Sequence, residues 1–355
     1  MREIRLGLLG CGAMMAAHAV NINKVKGIRI TALCDLSEEN VQCVAKALGT
    51  SPYVTTDYRT MADAVDAVLV ALPHDLHYEC GLFFARHKKH ILMEKPLCNT
   101  EEECLRLIEV CEEEGVTLMC GYPVPYKTDV AKLKELCDSG EYGQIMQMSI
   151  WTEQLTHPED ECSWLRTSRL GGGQFFSHGC HYVDLLLRFL GEPIEGAHFG
   201  TRLGTPWMLR EGTSVAIFKF QSGALGYHGA TWGARGSRLG WCYQVMTDKG
   251  LLDYDLTTGE IRFYHKEKEH IPGTVSVDGK KYVLLYKREN EGTEETTREI
   301  AHFADCVLNG KRPLTDGREA MKSLQVIWRM YEAEKRGTVA DLRGLGLERR
   351  WFNEL

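Results

Sequence analysis

The sequence predicts an α/β protein. An N-terminal Rossmann domain with a doubly wound parallel sheet is followed by an α+β domain on a large, mostly antiparallel open sheet. Three observations carry this. Through the first 120 residues, short apolar runs alternate with helix-like segments, as parallel strands covered on both faces require. Beyond about residue 122 the chain turns to extended runs separated by Gly-rich turns. At 355 residues it exceeds the size at which one hydrophobic core stops growing. Two domains are therefore expected, 1–122 and 123–355.

Five apolar runs mark the strands of the first domain: Ile4 to Leu9, Ile28 to Cys34, "DAVLVALP" (66–73), "HILM" (90–93) and "VTLMC" (116–120). Between them Ala13 to Val25, Ser37 to Leu48 and Leu76 to His87 read as helices. A further helix starts near Glu101. Thr100 and Glu103 spell a capping box in front of it, and Gly115 stops it. In the second domain, residues 129–139 and 175–191 read as helices. "QIMQMSIWTEQ", "TSVAIFKF", "GALGYHGATW" and "YQVMTDKGLLDYD" read as strands, and "DLTTGEIRFYH" as a hairpin about Thr258-Gly259. Helix returns in "IAHFADCVLNG" and "AMKSLQVIWRMYEAEKRG".

The net charge of −7 offers no basic footprint for nucleic acid or an anionic membrane. Thirteen cysteines without a CxxC pair argue against a disulfide scaffold or a structural zinc site. Reduced thiols in a cytoplasm are expected, and no metal. The first 19 residues have some signal-peptide character, but glycines interrupt the apolar part and His18 closes it. No apolar run approaches the roughly 20 residues that span a bilayer.

Gly10 and Gly12 follow the first strand and open a helix, as a dinucleotide loop requires. One glycine makes the tight turn and the other admits a pyrophosphate to the helix N-terminus. The loop residues are Gly10, Cys11, Gly12, Ala13, Met14 and Met15, with Met15 where a third glycine would pack helix against strand. Asp35 ends the second strand, where a carboxylate accepts from an adenosine ribose and repels a 2′-phosphate. NAD is expected as cofactor ahead of NADP. The alternative is that Asp35 caps the next helix, for which Ser37 is better placed.

Ligands of an open parallel sheet sit beyond the carboxyl ends of its strands. Leu72, Pro73 and His74, then Glu94, Lys95 and Pro96, then Gly121 and Tyr122 fall along that rim. The second cluster is "GGGQFFSHGCHYVD" (171–184), where His178, His181 and Asp184 could share one helix face. Histidine titrates near neutrality, as a base for alcohol oxidation must.

These stretches together resemble the glucose–fructose oxidoreductase/inositol dehydrogenase (Gfo/Idh/MocA) family. The likeness runs from "GLLGCGAMMAAH" through "CDLSEEN", "ALPHDLHYECGLFFARHKKHILMEKPL" and "GGGQFFSHGCHYVDLLLRFLG" to "GALGYHGATW". It ends in "EIAHFADCVLNGKRPLTDGREAMKSLQVI". The resemblance implies hydride transfer between a nicotinamide and a secondary alcohol or ketone carbon of a sugar, sugar derivative, glycoside or cyclitol. Lys95 and His181 match its catalytic pair, and Pro73 and His77 its cofactor loop. The family's open sheet often forms a dimer or tetramer interface.

Candidate substrate contacts, besides Lys95 and His181, are Tyr122, Trp164, Arg166, His178, Asp184 and Trp232. Two departures stand out. Many members have Asp where this chain has Ser177, so a less basic His181 is expected unless Asp184 or His178 substitutes. "GYPVPYK" also lacks the usual arginines after Gly121, leaving Arg166 or Arg169 to replace them. Two alternatives remain at this level. One is an enzyme that oxidises, eliminates and re-reduces without releasing cofactor; the other is a dinucleotide-binding sensor without chemistry.

Overall fold

The computed structural model describes residues 3–156, 166–167, 169, 171–266, 271–277, 279–289, 294–348 and 350–351. They cluster into two compact units: residues 1–126, 169–171 and 293–321, and residues 127–168, 172–292 and 322–355.

The first unit runs β1 (Ile4–Leu9), α1 (Ala13–Ile22), β2 (Ile28–Cys34), α2 (Glu38–Leu48), β3 (Tyr53–Thr55), β4 (Ala67–Val70), α3 (His77–Arg86), β5 (His90–Glu94), α4 (Glu101–Glu113) and β6 (Leu118–Gly121). Its six strands are all parallel, in the order β3-β2-β1-β4-β5-β6. The strand order reverses between β1 and β4, which makes their carboxyl ends the ligand crevice of such a sheet. All four residues of β4 and five of six in β1 are buried, as strands covered on both faces must be. The capping box at Thr100 and Glu103 is formed in both directions. One strand escapes the sequence reading. β3 has three residues, none buried, and shows no apolar run.

The second unit contains α5 (Thr128–Asp138), β7 (Ile145–Glu153), α6 (Gln174–Ser177), α7 (Cys180–Leu190), β8 (Pro193–Thr201), β9 (Thr213–Phe220), β10 (Leu225–Thr231), β11 (Trp241–Thr247), β12 (Gly250–Asp255), β13 (Glu260–His265), β14 (Val275–Val277) and β15 (Lys280–Lys287). With β16 (Ala340–Asp341) these strands form a ten-stranded sheet, β14-β15-β13-β12-β11-β7-β10-β9-β8-β16. Among the described residues only the β7–β10 pair is parallel, so the expected antiparallel character holds. The hairpin about Thr258-Gly259 forms, with Asp255 opposite Glu260. Along β9, burial alternates strictly, so one face meets the core and the other stays open. α7 is apolar on most sides and every residue in it is buried.

Two expectations change. Residues 175–191 are not one helix, because α6 ends at Ser177 and α7 begins at Cys180. Gly179 lies so close to the Phe175 carbonyl that any side chain would clash with it. The second change concerns residues 293–321, which by position belong to the later domain but cluster with the first unit. They hold α8 (Glu294–Asn309) and the start of α9 (Gly317–Arg336). Cys120 N–H donates to the Thr315 carbonyl at 2.8 Å, and the Thr315 hydroxyl returns a bond of 2.8 Å to the Cys120 carbonyl. Among the described residues no helix is long and apolar enough to cross a membrane.

His228 sits wholly buried on β10, its Nε2 3.2 Å from the Thr152 hydroxyl and its ring stacked on Tyr182. Burial, helped by nearby His198, pushes its pKa down to about 3. An unfolded histidine titrates at about 6.5. Between those values the unfolded chain binds a proton that the folded chain refuses, so stability falls as pH falls. Denaturant unfolding at pH 7 and pH 5 should show a loss of about 2 kcal/mol from this group, and His228→Gln should remove that component.

Candidate active site

The first unit gathers most of the expected cofactor residues at the β1–α1 turn. Gly10 has φ +84°, and a side chain there would collide with the Ala71 carbonyl. Both constraints demand glycine. Gly12 differs: a Cβ there would meet nothing within 4 Å, so no protein atom requires a glycine. The space it leaves lies at the first turn of α1, whose N-cap Gly12 offers no side-chain bond. Elsewhere, Ser37 caps α2 and Thr100 caps α4. A bare helix N-terminus facing open space fits a pyrophosphate.

Asp35 completes this loop. Its Oδ2 accepts Cys11 N–H at 2.6 Å and its Oδ1 accepts Ser37 N–H at 2.7 Å. Ser37, not Asp35, caps the next helix, and each carboxylate oxygen keeps a lone pair for a ribose hydroxyl. Ala13 and Met14 are exposed, whereas Met15 and Cys11 are buried. Met15 thus fills with a side chain the space a third glycine would leave to the backbone.

The end of β5 forms the second part. His18, on the buried side of α1, meets Glu94 with Nε2 2.6 Å from Oε1. The other carboxylate oxygen accepts Lys95 N–H at 3.2 Å. Burial would raise the Glu94 carboxyl, but the bond and attraction of His18 and the charge and N–H of Lys95 outweigh it, so its pKa is lowered. Lys95 is half-buried, and its peptide bond to Pro96 is cis. Leu72 and Pro73 are half-buried and His74 is buried. His77 is fully enclosed, with Nε2 2.9 Å from the Leu72 carbonyl and Nδ1 2.9 Å from the Pro96 carbonyl. A neutral ring donates from one nitrogen, so His77 bonds one of these two carbonyls and packs against the other. Tyr122 is also fully buried.

The second unit holds the other candidates. The helix break puts His178 in the turn between α6 and α7, yet its ring meets that of His181 edge-on at 6.0 Å. Around His178 stand Tyr182 and Trp241, each with ring centres 5.2 Å away, and Trp232 at 6.4 Å. The Gln174 amide donates to His178 Nδ1 at 3.3 Å while accepting from Ser214 at 3.0 Å. That assignment leaves Nε2 to carry the proton of a neutral ring. Asp184 turns instead to Arg188, at 2.7 Å with both side chains buried, and Arg188 also donates to the Arg350 carbonyl at 2.9 Å. Ser177 is buried.

Arg166 is exposed, and Arg169 pairs with Asp75 at 3.0 Å. Trp164 lies outside the described residues. Sequence reasoning missed His18, Gln174 and Trp241. Of these, only His18 carries a usable signal, since it interrupts the buried stripe Met15, Ala19, Ile22.

The first unit is the NAD-binding Rossmann fold that the family comparison also finds, and relatives named as dehydrogenases make the chain an NAD(P)-dependent oxidoreductase acting on CH–OH groups. The chain belongs to the Gfo/Idh/MocA oxidoreductase family. Residues 4–122 match its NAD-binding Rossmann fold and residues 130–253 its C-terminal domain. It is 26% identical over 330 residues to the scyllo-inositol 2-dehydrogenase (NAD(+)) of Bacillus subtilis (strain 168), spanning 91% of this chain and 92% of that one. The 2,7-anhydro-N-acetylneuraminate hydratase of Escherichia coli (strain K12) is 26% identical over 297 residues, 81% of this chain and 74% of that one. The WlbA dehydrogenase from Bordetella pertussis, solved with NADH and UDP-GlcNAcA, shares the fold. Its TM-score is 0.79 at 22% identity, over 96% of this chain and 99% of that one.

The two glycines should separate by experiment. Gly10→Ala should cost on the order of 2 kcal/mol of stability, because it adds a left-handed residue and a backbone clash. Gly12→Ala should leave the melting temperature unchanged and raise the NADH dissociation constant at least about tenfold, as displaced phosphate contacts require. Calorimetry with NADH titration checks both.

Proposed function

We propose that this protein transfers a hydride between NAD and a secondary alcohol or ketone carbon of a sugar, sugar derivative, glycoside or cyclitol. The observation that carries the reading is Lys95, at the end of β5, on the sheet rim where the Gly10–Gly12 loop and Asp35 also lie. The Asp35 carboxylate favours a free ribose hydroxyl over a 2′-phosphate, hence NAD over NADP. Bound at this loop, the oxidised dinucleotide supplies the hydride acceptor.

Lys95 donates a hydrogen bond to the reacting hydroxyl and stabilises the alkoxide charge that develops there. His181 takes the hydroxyl proton. The aromatic wall of His178, Trp232 and Trp241 suits the apolar face of a sugar or cyclitol ring. Relatives named as inositol dehydrogenases support that substrate class.

NADH absorbance across a panel of polyols, sugars and glycosides tests the reading. Lys95→Met and His181→Asn should each lower kcat about 10²–10³-fold with NADH affinity kept. Near-normal turnover by Lys95→Met would sink the assignment. Silence across the panel with NADH bound would identify a sensor, and substrate conversion without net NADH a cofactor-recycling enzyme.

A homo-oligomer through the open sheet face belongs to the same reading. Val215 and Ile217 on β9, Leu225 on β10 and Met246 on β11 are exposed on that face. Ile217→Lys should convert the assembly to monomers in light scattering without changing NADH affinity.

A further inference from the structure

We infer that His18 is a positioning residue for the reaction, because it holds the Glu94 carboxylate that in turn holds the Lys95 backbone. This rests on the role of Lys95 proposed above. His18 lies on α1, the helix whose N-terminus forms the dinucleotide loop, so its bond ties that helix to the lysine-bearing strand end.

The geometry uses both oxygens of Glu94. Oε1 takes His18 Nε2 at 2.6 Å and Oε2 takes Lys95 N–H at 3.2 Å. The side chains are nearly closed to solvent, at 7% for His18 and 12% for Glu94. Since Nε2 faces the carboxylate, it is the nitrogen that carries hydrogen, and the ring orientation follows. A carboxylate with one bond would pivot about it. With two, it fixes the peptide plane from which the lysine side chain departs.

The surroundings leave Glu94 as the charged member of its group. Glu299, on α8, is wholly buried, and burial first, then the charges of Glu94 and Glu295, lift it well above the carboxylate range. That shift favours its neutral form beside Glu94. His77, the other ring near Glu94, is driven toward neutrality by burial. The Glu94 charge is directed to His18 and Lys95. A buried pair of this kind often contributes little to stability compared with an apolar replacement. What it supplies is orientation, and misplacement by about 1 Å at a reacting group can cost on the order of 10²-fold in rate.

The test uses His18→Leu, His18→Gln, Glu94→Gln and the His18→Leu/Glu94→Gln double variant in the full-length protein. His18→Leu should lower kcat about 10–100-fold, with substrate KM and NADH affinity within about threefold of the parent. His18→Gln, which can still donate an N–H to Glu94, should recover most of that loss. In the double variant kcat should fall no further than in the poorer single variant, as two members of one chain require. Normal kcat in His18→Leu, or losses that multiply in the double variant, would overturn the inference. So would a drop in melting temperature with kcat untouched. If His18→Leu does not fold, His18→Gln and Glu94→Gln decide: parental kcat in Glu94→Gln, or in His18→Gln a loss as deep as that of Glu94→Gln, counts against it. An active Lys95→Met variant would remove the proposed function itself. An inactive one beside an unaffected His18→Leu would remove only this inference.

Discussion

The Ala71 carbonyl leaves no room for a side-chain carbon on Gly10, and the arrangement of the first unit's rim follows from that crowding. β1 and β4 are neighbours, so the chain leaving β1 must turn sharply past the end of β4. A positive φ achieves it, and Cys11 N–H is delivered to Asp35. α1 then starts with no side-chain cap. Its register is set from that first residue, and His18 arrives on the buried stripe opposite Glu94. One close backbone approach thereby determines where an anion can bind and how a carboxylate behind Lys95 is held.

Much of this was legible because the relevant signals are local. The continuous apolar runs of β1 and β4, the alternation along β9 and the Thr100–Glu103 box each depend on a few neighbouring residues. The failures involve contacts distant in sequence or backbone proximity invisible in residue type. "FFSHGCHYVDLLL" keeps helical periodicity across Gly179, yet Gly179 N–H bonds the Gln174 carbonyl, five residues back, and the helix is interrupted there. β3 is recognisable only because β2 pairs with it. For the candidate site, Gly10, Gly12, Asp35 and Lys95 were singled out from type and position, and their roles rest on the proposal above. The burial of His77 and Tyr122 was not legible, because their motif places them on the rim without saying which way they face.

The second unit manages charge differently. α7 is buried all round, so Asp184 and Arg188 must neutralise each other, and the Arg350 carbonyl takes a further guanidinium N–H. Asp184 is thus spoken for, and Ser177 supplies no charge. His178 is served by a neutral relay, Ser214 to Gln174 to the ring. The rings of His178 and His181 meet edge-on beside that relay.

The bonds between Cys120 and Thr315 have a consequence for biosynthesis. They cover the outer edge of β6, the last strand of the first sheet, with a segment 195 residues further along the chain. At ribosomal rates of about 5–20 residues per second, that edge emerges roughly 10–40 s before its cover. An unpaired parallel edge is a template for pairing with another chain. The nascent protein therefore passes through an interval in which its dinucleotide-binding sheet is assembled but unsealed, and chaperone occupancy would be most useful then.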